Sequence, residues 1–383
     1  MAMDKLIKRT IDLTRVKDLM RLFPVTAILG PRQSGKTVLA GKIGYDHYFD
    51  LENPRDLAKF QQAQLILEEL EGLIVIDEVQ RSPELFPLIR FLTDNNPRQK
   101  YLILGSASGE LLRQTSESLA GRAAYYELGG LGISDVGIKN IKKLWLRGGF
   151  PRAYLGASDT EAFLWLSNYI SALLERDMPQ MGINIPANTL RRFWTMICHY
   201  HGQIVNFSEI GRAFGVSDMT VRKYLDILEK TFMVRILQPW YVNVGKRLVK
   251  RPKVYVRDAG IFHSLMAIES SGTLTSHNKL GASWEGFALE ASARSIGKRR
   301  EEYYFWGTHT GAEVDLFWQA EGANWAVECK YDNSPTVTKS MKSAMKDLKL
   351  KHLWVVYPGK ETYKLDKNIT ARPISGIGEK WEY

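Results

Sequence analysis

Over the first third of the chain, short apolar runs alternate with longer stretches of helical spacing. The runs are Val25–Leu29, His47–Leu51, Leu73–Ile76, Tyr101–Leu104 and Ala124–Leu128. Such runs suit strands buried on both faces, and the alternation predicts a parallel sheet covered by helices. Residues 1–24 read as a helical lead-in. Residues 135–185 read as helices interrupted around Arg147-Gly148-Gly149-Phe150-Pro151, and 186–235 as helices again. The next segment, from Met233 to Asp258, is strand-rich. From about residue 262 the order is helix, strand, hairpin, helix, strand.

The first predicted strand breaks into Gly30-Pro31-Arg32-Gln33-Ser34-Gly35-Lys36-Thr37 before an apolar, helix-like stretch. This is G-x-x-x-x-G-K-[ST] between a strand and a helix, the context a phosphate-binding loop requires. Its glycines let backbone N–H groups turn inward, and the helix N-terminus adds partial positive charge. Gly30, Gln33, Ser34, Gly35, Lys36 and Thr37 are thus candidate nucleotide-binding residues. Lys36 would neutralise the β- and γ-phosphates, and Thr37 would ligate Mg²⁺. A second buried strand ends in Asp77-Glu78. Asp77 would hold the Mg²⁺, directly or through water, and Glu78 would polarise the attacking water as general base. Ser106 ends the strand in "YLILGSASGELL". It would reach toward the γ-phosphate, or a helix would be capped at Ser106 or Ser108. ATP and Mg²⁺ are the expected cofactors.

Composition adds a partner class. The chain has 383 residues, 45% of them hydrophobic, and a formal net charge of +10. That excess favours a polyanion such as nucleic acid, or an anionic membrane surface. The cysteines, Cys198 and Cys329, lie far apart without metal-ligand spacing, which suits a reducing compartment. No apolar run approaches the roughly 20 residues that span a bilayer, and the N-terminal segment lacks the core of a signal peptide. The expectation is a soluble cytoplasmic protein without membrane association.

"NFSEIGRAFGVSDMTVRKYLDILEK" reads as two helices joined by a turn at Gly215. Ile210, Ala213 and Phe214 form one apolar face, and Val221, Tyr224, Leu225 and Leu228 the next, a helix-turn-helix pattern. Ser217 would cap the second helix, whose first turns offer Arg222 and Lys223. No acidic residue interrupts Lys230 to Arg257. A basic hairpin there suits a phosphate backbone. Arg222, Lys223, Lys246, Arg247, Lys250, Arg251 and Lys253 are the candidate DNA-binding residues. Trp240 and Tyr241 would stack on bases or pack. His199 and His201 read as packing residues, and Arg176-Asp177 as structural ion pairing.

Near the end, "GTHTGAEVDLFWQAEGANWAVECKY" folds as a hairpin about Gly322 that brings Asp315 beside Glu328 and Cys329. Glu328 and Lys330, two apart, point to one strand face. Asp-x₁₂-Glu-x-Lys is the arrangement of restriction-endonuclease-like nucleases. Asp315 and Glu328 would ligate Mg²⁺, with Glu285 from an upstream helix as a further acidic ligand. Lys330, not itself a ligand, would position or activate water. The proline that usually precedes the Asp is Val314 here.

Gly30–Thr37, "LIVIDEVQ", "LGSAS", "ESLAGR" and "RGGFP" together resemble one family, the prokaryotic AAA-family (AAA+) ATPases with a C-terminal domain of unknown function 4143. The resemblance covers essentially the whole chain. It implies an α/β fold with an AAA+ P-loop NTPase core over 1–135, a helical lid over 136–185, a winged helix over 186–260, and a nuclease-like α/β domain of PD-(D/E)xK type over 261–383. Arg122, after "ESLAG", occupies the position of an arginine finger that enters a neighbour's nucleotide site. This implies a homo-oligomer, such as a hexameric ring. Arg147 or Arg152 would be the lid arginine. The expected function is DNA-dependent ATP hydrolysis that remodels or processes DNA, branched or junction DNA included. The alternatives are a nucleotide-gated switch acting on a protein partner and an ATP-regulated metal-dependent nuclease.

Overall fold

The computed structural model of the chain describes residues 7–106, 118–241, 248–377 and 381. The chain divides into two compact units, Met1–Leu131 with Lys230–Phe232, and Gly132–Glu229 with Met233–Tyr383.

The first unit is built on five parallel strands, β1 (Val25–Gly30), β2 (His47–Asp50), β3 (Gly72–Asp77), β4 (Gln99–Ser106) and β5 (Ala123–Glu127). Their order is β2-β3-β4-β1-β5. These are the five expected strands, with ends shifted by a residue or two. Side chains alternate between two dry faces, as the pleat dictates. Val25, Ala27, Leu29, Ile74, Ile76, Tyr101 and Ile103 pack with Phe86, Ile89 and Leu92 of the helix Leu85–Asn95. Ile28, Val75, Leu102 and Leu104 pack on the other face with Val16 of the helix Thr10–Leu22 and Leu39 of the helix Lys36–Ile43. With both faces sealed, polar groups gather where the strands end. Gly30 pairs in register with Ser106, and β3 is β4's other neighbour, so the tips of β1, β4 and β3 lie side by side.

The second unit carries a nine-stranded mixed sheet. Its strands are β6 (Gln203–Ile204), β7 (Val234–Pro239), β8 (Lys253–Val256), β9 (Tyr304–Gly307), β10 (Glu313–Ala320), β11 (Ala323–Cys329), β12 (Leu350–Tyr357), β13 (Tyr363–Asp366) and β14 (Ile369–Pro373). The order is β13-β14-β12-β11-β10-β9-β7-β8-β6. The parallel pairing of β7 with β9, Gln238 to Tyr304 and Pro239 to Phe305, joins the basic hairpin to the C-terminal strands in one sheet. The β13–β14 hairpin goes beyond the elements foreseen, because β13 is half exposed and its apolar alternation is faint. The β10–β11 hairpin turns at Glu321 and Gly322, both with positive φ, as a tight two-residue hairpin requires.

The two helices of the helix-turn-helix pattern span Phe207–Phe214 and Asp218–Lys230. Ser217 Oγ accepts from the Thr220 N–H at 3.2 Å, the expected cap. Ala213 is exposed, however, and Phe207, Ile210 and Gly211 carry the buried face. Val216 O would lie 2.6 Å from a Cβ on Gly211, so only glycine lets the turn close this tightly. Among the described residues, no helix is long and apolar enough to cross a membrane.

The Gly148-Gly149-Phe150-Pro151 turn separates the helices Ile141–Arg147 and Pro151–Leu155. Partly buried Asp258 caps the helix Ala259–Leu265 by accepting from Ile261 N–H at 2.9 Å, and also takes Gly149 N–H at 2.7 Å. Gly148 has φ +75°, and a Cβ there would meet Asp258 Oδ1 at 2.1 Å and Gly260 N at 2.7 Å. Gly148→Ala is therefore expected to cost about 2–3 kcal/mol in chemical denaturation. A loss within experimental error would mean the turn relaxes freely.

Candidate functional site

β1 delivers the phosphate loop. Gly30 is glycine for packing, since a Cβ there would stand 2.2 Å from Leu128 O. Gln33 (φ 62°) and Gly35 (φ 97°) take left-handed conformations that wrap the loop. Lys36 begins the following helix, is 6% exposed, and donates to Gly30 O and Pro31 O at 3.0 Å each. Burial pushes its ammonium down to about 8, against the upward pull of Glu78 and Asp77. Ser34 Oγ is buried without a hydrogen-bond partner among the described residues. An enclosed cation, an unsatisfied hydroxyl and a helix N-terminus at one loop fit a phosphate.

Thr37 Oγ1 and Tyr48 OH both donate to Asp77 Oδ2, at 2.7 and 2.9 Å, while Glu78 N–H donates to Asp77 Oδ1 at 2.9 Å. This joins the phosphate loop to the tip of β3, with Thr37 and Asp77 adjacent as a Mg²⁺ site would need them. Tyr48's hydroxyl is pushed well above its ordinary range by burial and by the Asp77 charge. Glu78 sits in the left-handed region, φ 54° and ψ 43°, a conformation that costs a non-glycine residue about 1 kcal/mol or more. Its carboxyl is raised above the usual carboxylate range, chiefly by burial, with Lys36 opposing. Gln80 Nε2 donates to Glu78 Oε2 and to Ser106 Oγ, the latter at 2.9 Å. Ser106 thus meets the candidate base at the strand tips, while Ser108 and the alternative cap lie outside the described residues.

Three residues here escaped sequence reasoning. Gln80 follows the acidic pair by two positions, a polar side chain at a strand exit, which was a usable sign. Tyr48 and Arg9 carry no local mark. Arg9, 5% exposed, donates to Ser34 O at 2.6 Å, Gly129 O at 2.8 Å and Gly130 O at 2.9 Å, and pairs with Asp12 at 2.7 Å. It braces the loop's backbone from behind. Arg122 is at the surface, bound through two nitrogens to Asp94 at 2.5 and 2.8 Å. Arg147 is 8% exposed and tied to Asp159 and Gly156 O, each at 2.6 Å, so it is committed to its own helix pair. Arg152 is exposed.

In the second unit, Arg222 and Lys223 are exposed on the helix Asp218–Lys230, and Lys250 and Arg251 are exposed just before β8. Arg222's guanidinium lies 3.8 Å over the Phe207 ring. A cleft of about 280 Å³ brings Arg222, Lys250 and Arg251 together, with Asp226 on its wall. Lys246 and Arg247 lie outside the described residues. Lys253 does not belong to this surface. It is 2% exposed and turned into the protein. Trp240 packs against Tyr304 and Phe317, each at 4.8 Å, while Tyr241 is exposed. His201 is buried, with Nδ1 accepting from Val256 N–H at 2.9 Å, a packing role.

The β10–β11 hairpin places Asp315 and Glu328 side by side, both buried, with Cys329 N–H on Asp315 Oδ2 at 2.9 Å. Lys330 Nζ meets Glu328 Oε1 at 2.7 Å. Glu285 joins them, but the centre of the group is the Lys253 ammonium, 3.3 Å from Asp315, 3.4 Å from Glu313 and 3.8 Å from Glu285. Burial opposes that charge, yet Asp315, Glu285 and Glu313 outweigh it and hold Lys253 above the ordinary lysine range. Burial and then the Asp315 charge push Glu285 and Glu328 up to about 8. Among the described residues, no group of three or more His, Cys, Asp or Glu side chains is placed to hold a metal ion. Of the expected Mg²⁺ ligands, then, Asp315 and Glu285 gather around Lys253, while Glu328 pairs with Lys330.

One consequence of the nucleotide site can be measured directly. Nucleotide phosphates favour the charged form of Lys36, whose free-state value is about 8. ATP affinity should be flat below about pH 7 and fall as pH rises past about 8, by up to about tenfold per unit, with proton uptake on binding. Calorimetry in buffers of different ionisation enthalpy reads that uptake. Unchanged affinity well above pH 8, without uptake, would contradict the burial of this ammonium.

Residues 22–136 match the family described as AAA domain, residues 138–272 a domain of unknown function (DUF8612), and residues 280–377 the domain of unknown function DUF4143. "Uncharacterized protein Rv2008c" of Mycobacterium tuberculosis and "Uncharacterized protein Mb2031c" of Mycobacterium bovis are each 43% identical over 376 residues, covering 97% of this chain and 85% of the relative. Among solved structures, the Walker-type ATPase PABY2304 of Pyrococcus abyssi is 16% identical with a TM-score of 0.45, covering 69% of this chain and 97% of that one. The Bacillus subtilis DNA clamp loader delta protein (YqeN) is 12% identical with a TM-score of 0.25, covering 57% and 88%. With a phosphate loop and an acidic strand tip joined through Thr37 and Asp77, and with both flanking family matches along its length, the chain belongs to the AAA-family P-loop ATPases that carry a DUF4143 C-terminal domain.

Proposed function

We propose that this chain hydrolyses ATP and uses the cycle to remodel or process DNA. One observation carries the hydrolytic half, the hydrogen-bonded set Thr37–Asp77 and Glu78–Gln80–Ser106 at the tips of three neighbouring strands. Lys36, the loop amides and Ser34 would hold the phosphates, and Thr37 and Asp77 would hold Mg²⁺, which screens charge and polarises the terminal phosphate. Glu78 accepts a proton from the attacking water. Its raised carboxyl is a better base near neutral pH than an ordinary glutamate.

The DNA half is supported by the cleft that collects Arg222, Lys250 and Arg251 from two separate segments. The helix pair Phe207–Phe214 and Asp218–Lys230 with β6, β7 and β8 is read as a winged helix, and 261–383 as a nuclease-like domain. The lid covers 136–185 and the ATPase core 1–135. Arg122 acts on a neighbouring copy's nucleotide in a homo-oligomer.

ATP turnover should rise several-fold with single-stranded, duplex or four-way-junction DNA, and Lys36→Ala should abolish it without unfolding the protein. Arg222→Ala together with Arg251→Ala should weaken DNA binding about tenfold or more and flatten its salt dependence. If no DNA form alters the rate, a switch acting on a protein partner becomes the better account. Near-normal turnover in Lys36→Ala would remove the site assignment itself.

Oligomeric action is tested by mixing. Arg122→Ala and Glu78→Gln should each lose turnover by about a hundredfold or more. Mixed together they should recover part of it, because some sites then pair an intact Glu78 with a neighbour's intact Arg122. Failure of any mixture to recover would count against action between copies.

A further inference from the structure

Lys253 is the first residue of β8, a strand flanked on both sides. Its backbone pairs with Leu237 of β7 and with Ile204 of β6. The side chain is 2% exposed. Its ammonium touches the carboxylates of Asp315, Glu313 and Glu285 at 3.3, 3.4 and 3.8 Å. The same carboxylates have other internal donors. Asp315 Oδ2 takes the Cys329 N–H at 2.9 Å, and Glu285 Oε1 takes Tyr255 OH at 2.7 Å. Glu328 Oε1 is held by Lys330.

A magnesium ion would need oxygens of Asp315 and Glu285 at about 2.0–2.1 Å in octahedral array. The ammonium already fills the space between those oxygens. It also brings a like charge, beside an Asp315 that is itself buried. Buried carboxylates and a buried lysine satisfy one another as a charge cluster.

We infer that Lys253 is the resident cation of this cluster, standing where a nuclease of this type would carry its divalent metal, so that the C-terminal domain holds no metal and does not cut DNA. The inference rests on reading Asp315, Glu328 and Lys330 as a nuclease-like constellation. It changes what that constellation does. The charges lock β8 to the β10–β11 hairpin and to the helix Leu280–Ile296. The strand that follows Lys250 and Arg251 is thereby anchored, and the chain holds DNA without cleaving it.

The test is Mn²⁺ binding to the full chain without nucleotide, read by electron paramagnetic resonance of the free ion and by the thermal midpoint with and without Mn²⁺. The wild type should show no Mn²⁺ site and no Mn²⁺-dependent shift in midpoint that Asp315→Asn removes, and no cleavage of DNA. Lys253→Met should gain one site, at least about tenfold tighter than anything in the wild type, with a midpoint that rises in Mn²⁺. Glu328 Oε2, buried without a hydrogen-bond partner among the described residues, would be a further oxygen for such an ion. Adding Asp315→Asn to Lys253→Met should abolish the gain. A wild-type Mn²⁺ site lost in Asp315→Asn overturns the inference, and so does a folded Lys253→Met that binds no more Mn²⁺ than the wild type. If Lys253→Met does not fold, the wild-type titration decides alone. No nucleotide is present, so the result is independent of whether Lys36 and Glu78 perform hydrolysis.

Discussion

Asp77 is 5% exposed, and its carboxylate is held by Thr37, Tyr48 and the Glu78 amide, donors from three segments of the chain. A charge removed from water must be met by hydrogen bonds or opposite charge inside the protein, or it is not tolerated. That requirement fixes the first unit's active edge. A sheet sealed on both faces leaves only the strand tips for polar groups, and there the groups must satisfy one another. Arg9 meets the same demand from behind the loop, spending its donors on three backbone carbonyls and Asp12. Arg9 thereby ties the loop's backbone to the segment that follows β5.

The second unit answers the same requirement with ion pairs. Arg235 makes a two-point contact with Glu290 at 2.5 and 2.9 Å, with Arg257 close by at 3.6 Å, and Lys253 sits among carboxylates. Strand β8 therefore has two sides of different purpose. Just before it, Lys250 and Arg251 stay in water, where a phosphate backbone would find them. Within it, Lys253 and Tyr255 are buried and meet Glu285 of the helix Leu280–Ile296, and Lys253 also meets Glu313 and Asp315 of β10. Breaking one partner of such buried pairs costs more than the pair contributes, because a lone charge remains.

The basic run from Lys230 to Arg257 marks the limit of reading charge from sequence. As a string it is an uninterrupted cationic segment, and a solvated hairpin is the natural inference. Its partners, Glu285, Glu290 and Asp315, lie dozens of positions downstream, and only the tertiary fold brings them alongside. Arg147 behaves likewise, since Asp159 and the Gly156 carbonyl claim it locally. By contrast, the pairing of Asp315 with Glu328 was legible. Their hairpin closes over a two-residue turn, so register follows from spacing alone.

What the sequence determined by itself was therefore whatever depends on near neighbours. The five core strands followed from apolar runs, the phosphate loop from its glycine, lysine and threonine spacing, and the helix-turn-helix from its period and the cap at Ser217. These signals are local because backbone geometry repeats every two or every 3.6 residues. Tertiary structure alone decided which charges face water and which face each other. Tyr48, Gln80 and Arg9 entered the candidate nucleotide site, and Lys253 left the cationic surface for an acidic interior, because burial and partnership are set by segments far apart in the chain. A lysine's chemistry is the same in either place, and only its surroundings determine whether it binds a phosphate or balances a carboxylate.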